Sequence, residues 1–132
     1  MKVIVDTVIW SLALRRKSPD VTIQKQIKSL IKDQRLLIIG PIRQELLSGY
    51  SNPVQYLQLK DKMSYFENEA ILDQDYVKAA EFHNTCRQKG IQGSHIDFLI
   101  CACAHRLEAK IFSNDIDFQH YKKYLPISLF QQ

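Results

Sequence analysis

The chain has 132 residues, 45% of them hydrophobic and 24% charged, which is typical of a globular protein and predicts a single domain over residues 1–132. This composition excludes a disordered or collagen-like chain, and no apolar run approaches the roughly 20 residues of a membrane-spanning helix. The net charge of +4 permits a polyanionic partner without requiring one. Asp6 interrupts the first apolar stretch, so we expect no signal peptide and a cytoplasmic location.

Short β-branched runs alternate with longer helical patterns along the chain. The predicted strands are residues 2–5, 36–39, 70–72, 110–112 and 127–130. A second predicted helix is amphipathic, with Ile23, Ile27, Leu30 and Ile31 on one face. The other predicted helices are residues 7–16, 41–49, 54–66, 73 or 74 to 90, and 94–107. Because helices separate the strands, the connections are crossovers, and the predicted fold class is α/β with a mainly parallel sheet covered on both faces.

The three cysteines favour a reducing compartment over a disulfide framework. Cys101, Cys103 and His105 could suggest a zinc site, but the spacing of the two cysteines places them on different sides of a helix. We therefore predict that both cysteines are buried apolar residues.

Carboxylates follow the strands or open the helices of this pattern. Asp6 comes directly after the first strand, Glu45 lies one turn into the helix after the second, and Asp97 lies in the first turn of the apolar helix. Asp115 and Asp117 follow the fourth strand. Ligands of an open α/β sheet bind beyond the carboxyl ends of its strands, so these acids are predicted to share one edge of the sheet.

Each carboxylate also has a purely structural interpretation. Asp6 could cap the first helix, and Asp97 could form a capping box with Ser94. Asp115 could belong to a turn, and Glu45 could be a solvated residue near the positive end of its helix. Taken together, however, four carboxylates at one sheet edge would repel one another unless a cation lay among them.

Mg²⁺ or Mn²⁺ is the predicted counter-charge, because hard divalent cations prefer oxygen ligands and no histidine or cysteine cluster joins the acids. Such a site is suited to hydrolysis of a phosphodiester, in which the metal activates a water and neutralises charge on the leaving oxygen.

The acidic motifs resemble those of PIN domains, in order and over essentially the whole chain. The resemblance rests on Val5-Asp6-Thr7, Glu45, the Gly93-x-x-x-Asp97 pattern that opens an apolar helix, and residues 113–118, Ser-Asn-Asp-Ile-Asp-Phe. The opening stretch is especially similar to VapC toxins, the ribonuclease components of bacterial toxin–antitoxin pairs.

The resemblance implies an α/β/α sandwich with strand order 3-2-1-4-5, in which Asp6 and Asp115 face each other. It assigns catalytic, metal-binding roles to Asp6, Glu45, Asp97 and Asp115, an outer ligand role to Asp117, and supporting hydroxyl groups to Thr7 and Ser113. Two positions depart from the family pattern, because many relatives carry a polar residue at Val8 and a threonine at Ser113.

The resemblance further implies an RNA substrate, a homodimer, and an antitoxin that blocks the site. The helix pair over residues 41–66 is the candidate antitoxin groove, because it carries more large apolar side chains than packing one face against the core requires. These residues are Tyr50, Tyr56, Leu57, Leu59, Tyr65 and Phe66. The candidate contacts to RNA phosphates are Arg15, Arg16 and Lys17, and His95 is interpreted as a helix-start residue near Asp97.

Two alternatives remain open at this point. A catalytically silent module could keep the fold and bind RNA or protein, although such a module gains nothing from clustered like charges. A phosphotransfer protein on another doubly wound sheet is the second alternative. Val8 stands where a dehalogenase-type phosphatase needs a second aspartate, and although Asp73 and Asp75 follow the third strand, no lysine follows the fifth.

Overall fold

The computed structural model describes residues 1–15 and 17–131 of the chain. In this part of the chain, a parallel sheet has the order β3-β2-β1-β4-β5, and helices surround it. The strands are β1 (Val3–Val5), β2 (Leu36–Ile39), β3 (Asn68–Glu69), β4 (Lys110–Phe112) and β5 (Ser128–Leu129). The helices are α1 (Thr7–Leu14), α2 (Val21–Lys32), α3 (Gly40–Ser48), α4 (Pro53–Met63), α5 (Asp73–Gln88), α6 (His95–Leu107) and α7 (Asp117–Lys122). The predicted fold class and the implied strand order are confirmed.

The pairing of β1 with β4 positions the two chain segments that matter most for the site. β1 is fully buried, as its uninterrupted apolar sequence predicts for a strand covered on both faces. Val5 pairs with Phe112 at the end of the two strands, and the Asp6 amide donates to the Phe112 carbonyl at 2.9 Å. Asp6 and Ser113 therefore leave the sheet side by side.

The third strand was predicted at the wrong residues. The apolar run 70–72 is not a strand, and Asn68 and Glu69 pair with β2 instead. The Ala70 carbonyl accepts a hydrogen bond from Arg106, and the Leu72 amide donates to Asp75, so this run forms the connection into α5. β3 lies at an edge of the sheet, where a strand can be short and polar.

Helix ends differ from the prediction by two or three residues in α1, α4 and α5, and α5 ends at Gln88 rather than at residue 90. α1 ends at Leu14 rather than at residue 16, and Arg16 lies outside the described residues. α4 ends at Met63, three residues before the predicted end. Ile31, predicted on the buried face of α2, is 41% exposed, whereas the other three apolar positions are buried. The short helix α7 was not predicted at all.

The apolar helix α6 supplies much of the core against the sheet and α5. It starts after the N-cap Ser94, and its buried residues include Cys101 and Cys103, so the prediction for these cysteines is confirmed. His105 is exposed. Among the described residues, no helix is long and apolar enough to cross a membrane.

Candidate metal centre

Three carboxylates converge beyond the carboxyl ends of β1 and β4. Asp97, Asp115 and Asp117 each offer one oxygen, and these oxygens lie within 4.8 Å of one another. All three residues are half-buried. Carboxylate oxygens are the ligands that hard divalent cations prefer, so this donor set fits Mg²⁺ or Mn²⁺. The three negative charges repel one another, and the cluster itself contains no positive charge that would offset this repulsion.

Local backbone geometry brings these three acids together. Asp97 lies in the first turn of α6, where its amide donates to the Ser94 hydroxyl oxygen at 3.0 Å. Asp115 lies in the tight connection between β4 and α7, and Asp117 is the first residue of α7. The Asp117 amide donates to Asp115 Oδ1 at 2.9 Å. The turn role expected for Asp115 is therefore real. For Asp97 only half of the expected capping box forms, because its amide donates to Ser94 while its carboxylate accepts from Tyr121. Asp117, expected only as an outer ligand, is a member of the cluster.

Asp6 lies beside this cluster but is not a member of it. It caps α1 by accepting a hydrogen bond from the Thr7 amide at Oδ1, with a distance of 2.8 Å. Its other oxygen, Oδ2, accepts from the Ser113 hydroxyl at 2.9 Å. Asp6 is only 7% exposed, so its carboxylate is held almost out of solvent.

Ser113 connects Asp6 to the cluster. Its hydroxyl donates to Asp6 and accepts a hydrogen bond from the Asp115 amide at 3.1 Å. The link between Asp6 and Asp115 thus runs through one serine hydroxyl. The other supporting hydroxyl expected from the sequence, Thr7 Oγ1, is buried and has no hydrogen-bond partner among the described residues. A buried hydroxyl without a partner is unusual, and it stands next to the candidate site.

The pKa values of two site carboxylates reflect burial and mutual repulsion. Burial raises the pKa of Asp6 above its ordinary value, hydrogen bonds from Ser113 and Thr7 oppose the rise, and the charges of Asp97 and Glu45 add to it. Burial likewise raises the pKa of Asp97, Tyr121 and Ser94 oppose the rise, and Asp115 and Asp117 add to it. Nearby positive charge would favour the ionised forms of both groups.

Tyr121 is a site residue that the sequence reasoning missed. Its hydroxyl donates to Asp97 Oδ2 at 2.6 Å, and the side chain is fully buried. Burial and the hydrogen bond to Asp97 raise the pKa of Tyr121 far above its usual range, so the hydroxyl stays protonated and remains a donor. No element was predicted between residues 112 and 127, and recognising α7 there would have brought Tyr121 into consideration as a site residue.

Glu45 occupies the exposed rim of the site. It lies in the middle of α3, its side chain is exposed, and its charge contributes to the raised pKa of Asp6. It is not part of the three-carboxylate cluster.

A family model described as the PIN domain matches residues 3–124. The chain belongs to the PIN domain family. No curated protein sequence matches this PIN domain.

Solved structures share the fold of this PIN domain over nearly its whole length. FitAcB from Neisseria gonorrhoeae has a TM-score of 0.80 with 17% identity, covering 98% of this chain and 96% of that one. VapBC2 from Rickettsia felis, bound to a DNA fragment from its promoter, has a TM-score of 0.79 with 21% identity, covering 100% and 99%. DNA-bound VapBC from Salmonella typhimurium has a TM-score of 0.76 with 18% identity, covering 98% and 97%.

The apolar residues of the helix pair over residues 41–66 divide into two sets in this PIN domain. Leu59 is buried, and Tyr50 and Phe66 pack partly against the core. The other three are exposed: Tyr56, Leu57 and Tyr65. Tyr50 and Leu59 line a cleft of about 320 Å³, and Phe66 lines a second cleft of about 290 Å³. Both clefts lie between α1, α2 and α4. A third cleft, of about 410 Å³, lies between α3 and α4, where Tyr56 and residues of α3 line it.

The remaining candidate residues of this PIN domain lie outside the three-carboxylate cluster. Arg15 is exposed and donates to the Ser18 carbonyl at 2.6 Å, and Lys17 is exposed. Arg15 is separated from Asp6 by α1, whose eight residues span about 12 Å. His95 opens α6 and contacts the ring of His83 edge to face. Asp75, considered above as a phosphate acceptor, is buried and paired with Arg106.

Proposed function

We propose that this PIN domain is a Mg²⁺- or Mn²⁺-dependent endoribonuclease, and that it is the toxin of a toxin–antitoxin pair. One observation carries the nuclease proposal: three carboxylates converge within 4.8 Å beside a buried fourth, Asp6, at the carboxyl edge of a parallel sheet. Clustered like charges destabilise a metal-free protein, and a site that binds a cation offsets this cost. The PIN family and the similarity to VapBC proteins support the same assignment.

The chain's own residues would prepare the site for phosphodiester hydrolysis. Asp97, Asp115 and Asp117 would hold the cation, with Asp6 as the fourth carboxylate. When bound, the ion supplies an activated water and neutralises charge on the leaving oxygen. Ser113 would keep Asp6 and Asp115 in fixed relative positions through its two hydrogen bonds. Glu45, on the exposed rim, would contribute negative charge where the substrate and the ion enter.

An antitoxin segment is the proposed occupant of the groove between α1, α2 and α4. The two clefts of this groove share four lining residues: Ala13, Leu14, Gln24 and Lys62. The charged residues among the described lining are all cationic, namely Arg15, Lys28 and Lys62. A segment with apolar and acidic side chains complements this lining. The structural neighbours named as VapBC support a partner of this kind.

A second copy of the chain is a further proposed partner. The start of α5 leaves three apolar side chains exposed in close succession: Leu72 at 41%, Tyr76 at 56% and Val77 at 62%. Exposed apolar clusters of this kind are typical of interaction surfaces. Light scattering should give the mass of a dimer for the natural chain and of a monomer for Val77→Glu. A monomeric natural chain would contradict the proposal.

Cleavage of total cellular RNA by the purified chain tests the nuclease proposal. We expect discrete fragments that require Mg²⁺ or Mn²⁺ and that disappear with Asp6→Ala, Asp97→Asn or Asp115→Asn. Asp73→Asn is the matched control, because Asp73 is also an aspartate in the first turn of a helix but is exposed and lies outside the cluster. Undiminished cleavage by Asp97→Asn would overturn the proposal. RNA binding without metal or cleavage would favour the silent module instead.

A further inference from the structure

The phenol of Tyr121 reaches Asp97 from the interior of the protein. Its hydroxyl lies 2.6 Å from Asp97 Oδ2, within the range of a strong hydrogen bond to a carboxylate. The ring is fully buried between two other aromatic rings, with its centroid 4.9 Å from that of Phe98 and 5.3 Å from that of Phe118. Packing thus holds the hydroxyl in place before any ligand binds.

Gly93 leaves the space that this approach requires. A Cβ atom at position 93 would lie 2.4 Å from the Tyr121 hydroxyl oxygen and 2.8 Å from two ring carbons of Phe98. Both contacts are far shorter than van der Waals distances allow, so any side chain at position 93 would displace one or both rings. Gly93 directly precedes Ser94, the N-cap of the helix that carries Asp97. Gly93 and Tyr121 therefore act at the same place, because the glycine leaves the space in which the Tyr121 hydroxyl contacts Asp97.

We propose that Tyr121 is a positioning residue of the metal centre, which fixes the Asp97 carboxylate for cation binding, and that Gly93 permits this contact. The inference rests on the function proposed above, because it requires Asp97 to be a metal ligand. An aspartate side chain rotates freely about its terminal bond unless a partner holds it. Tyr121 supplies that partner from a fully buried position, whereas the Asp115 side chain is held from the local turn. Ordering of Asp97 in advance lowers the entropic cost of binding the ion.

Tyr121→Phe is the direct test, because it removes the hydroxyl and leaves the packed ring. Mn²⁺ affinity, measured by calorimetry and by the electron paramagnetic resonance signal of free Mn²⁺, should fall about tenfold, as is typical when a partner of a ligand is removed. RNA cleavage should fall at limiting Mn²⁺ and recover at saturating Mn²⁺. Tyr124→Phe is the matched control, because Tyr124 is an exposed tyrosine three residues further along the chain. It should leave Mn²⁺ affinity unchanged.

The outcomes separate this inference from the proposed function. If the natural chain binds no Mn²⁺, the proposed metal centre is wrong and the inference falls with it. If the natural chain and Tyr121→Phe bind Mn²⁺ equally, the nuclease proposal stands and the inference alone is overturned. A loss of cleavage at unchanged Mn²⁺ affinity, which saturating Mn²⁺ does not restore, would likewise overturn the inference, because the hydroxyl would then act in a step other than ion binding.

Gly93→Ala provides a second route to the same contact. The added methyl group displaces the Tyr121 hydroxyl, so Mn²⁺ affinity should again fall even if Tyr121→Phe does not fold. Combining both substitutions should cost little more Mn²⁺ affinity than either alone, because both act through one hydrogen bond. Unchanged Mn²⁺ affinity in folded Gly93→Ala would overturn the inference.

Discussion

Ser113 and Asp6 are 107 residues apart in the sequence, and the Ser113 hydroxyl donates a hydrogen bond of 2.9 Å to the Asp6 carboxylate. The parallel pairing of β1 with β4 produces this contact, because Val5 and Phe112 are partners at the ends of the two strands. The same hydroxyl accepts from the Asp115 amide. One small side chain therefore sets the distance between the buried carboxylate of Asp6, which follows β1, and the acidic turn after β4.

Ser113→Ala should reduce cleavage without unfolding the chain. The substitution leaves Asp6 Oδ2 without its donor and the Asp115 amide without its acceptor, and such losses cost about 1–3 kcal/mol of stability. We expect RNA cleavage to fall about 10- to 100-fold, and urea denaturation to show the matching loss of stability.

Two further serine variants complete this test. Ser113→Thr keeps the hydroxyl and should retain most of the cleavage. Ser48→Ala is the control, because the Ser48 hydroxyl donates only to carbonyls of its own helix. Full cleavage by Ser113→Ala would show that the Asp6–Asp115 geometry does not depend on this bridge.

The sequence was sufficient to predict those parts of the fold whose pattern is strong and local. The buried central strands are continuous apolar runs, and the cap of α6 is readable from Ser94 and Asp97. β3 was misplaced because Asn68 and Glu69 pair at a sheet edge, where hydrogen bonding needs no apolar side chain.

The sequence also predicted which acids lie at the sheet edge, but not how they are arranged. Asp6 lies outside the cluster and is linked to it through Ser113. Asp117 lies inside the cluster because of the turn geometry after β4. Tyr121 was missed because α7 has six residues, too few for a helical period to show. A contact between Tyr121 and Asp97 is set by tertiary packing, and no local pattern encodes it.

Divalent cations should stabilise the natural chain, because binding offsets the repulsion among the three clustered carboxylates. At a Mn²⁺ concentration about 100 times Kd, we expect about 2.7 kcal/mol of added stability, removed by EDTA. In differential scanning calorimetry, Mn²⁺ should raise the stability of Asp115→Asn little. Without metal, this variant should be no less stable than the metal-free natural chain. A Mn²⁺ effect of equal size in Asp115→Asn would argue against the cluster as the binding site, and Asp73→Asn should retain the full effect.

Glu45→Gln tests whether the rim carboxylate takes part in cleavage. Glu45 is exposed and lies outside the cluster, yet its charge reaches Asp6. If it completes the metal environment, Glu45→Gln should lower cleavage at least tenfold with Tm unchanged. Glu81→Gln, an exposed glutamate in the middle of α5, is the control. Equal cleavage by Glu45→Gln and the natural chain would show that Glu45 is a solvent-exposed residue with no part in cleavage.

Lys62→Glu should weaken antitoxin binding and leave cleavage unchanged. Lys62 lines both clefts of the groove between α1, α2 and α4, and reversing its charge opposes an acidic partner segment. Binding of the proposed antitoxin partner, measured by biolayer interferometry, should weaken about tenfold or more. Lys60→Glu, an exposed lysine of the same helix that does not line the clefts, is the control. Equal losses from both variants would indicate a general charge effect rather than the groove.

Asp75 and Arg106 should make the stability of the chain sensitive to acid. Burial opposes ionisation of Asp75, but hydrogen bonds from Arg106 and the Leu72 amide, together with the charge of Arg106, outweigh it and lower the pKa of Asp75 below 3.8. A carboxylate with a lowered folded pKa contributes stability above its unfolded pKa and loses it as pH falls through the folded value.

Asp75→Asn should therefore lower the free energy of unfolding by about 1.5–3 kcal/mol at pH 7, the range for hydrogen bonds to charged groups. This difference in stability from the natural chain should shrink at a pH below about 3.8. Urea denaturation across this range measures the difference. Glu81→Gln breaks an exposed pair with Lys78 and should change stability little at any pH. A difference for Asp75→Asn that is constant with pH would show that the amide loses packing rather than an ion pair. RNA cleavage should be unaffected, because the pair lies between α5 and α6, away from the clustered acids.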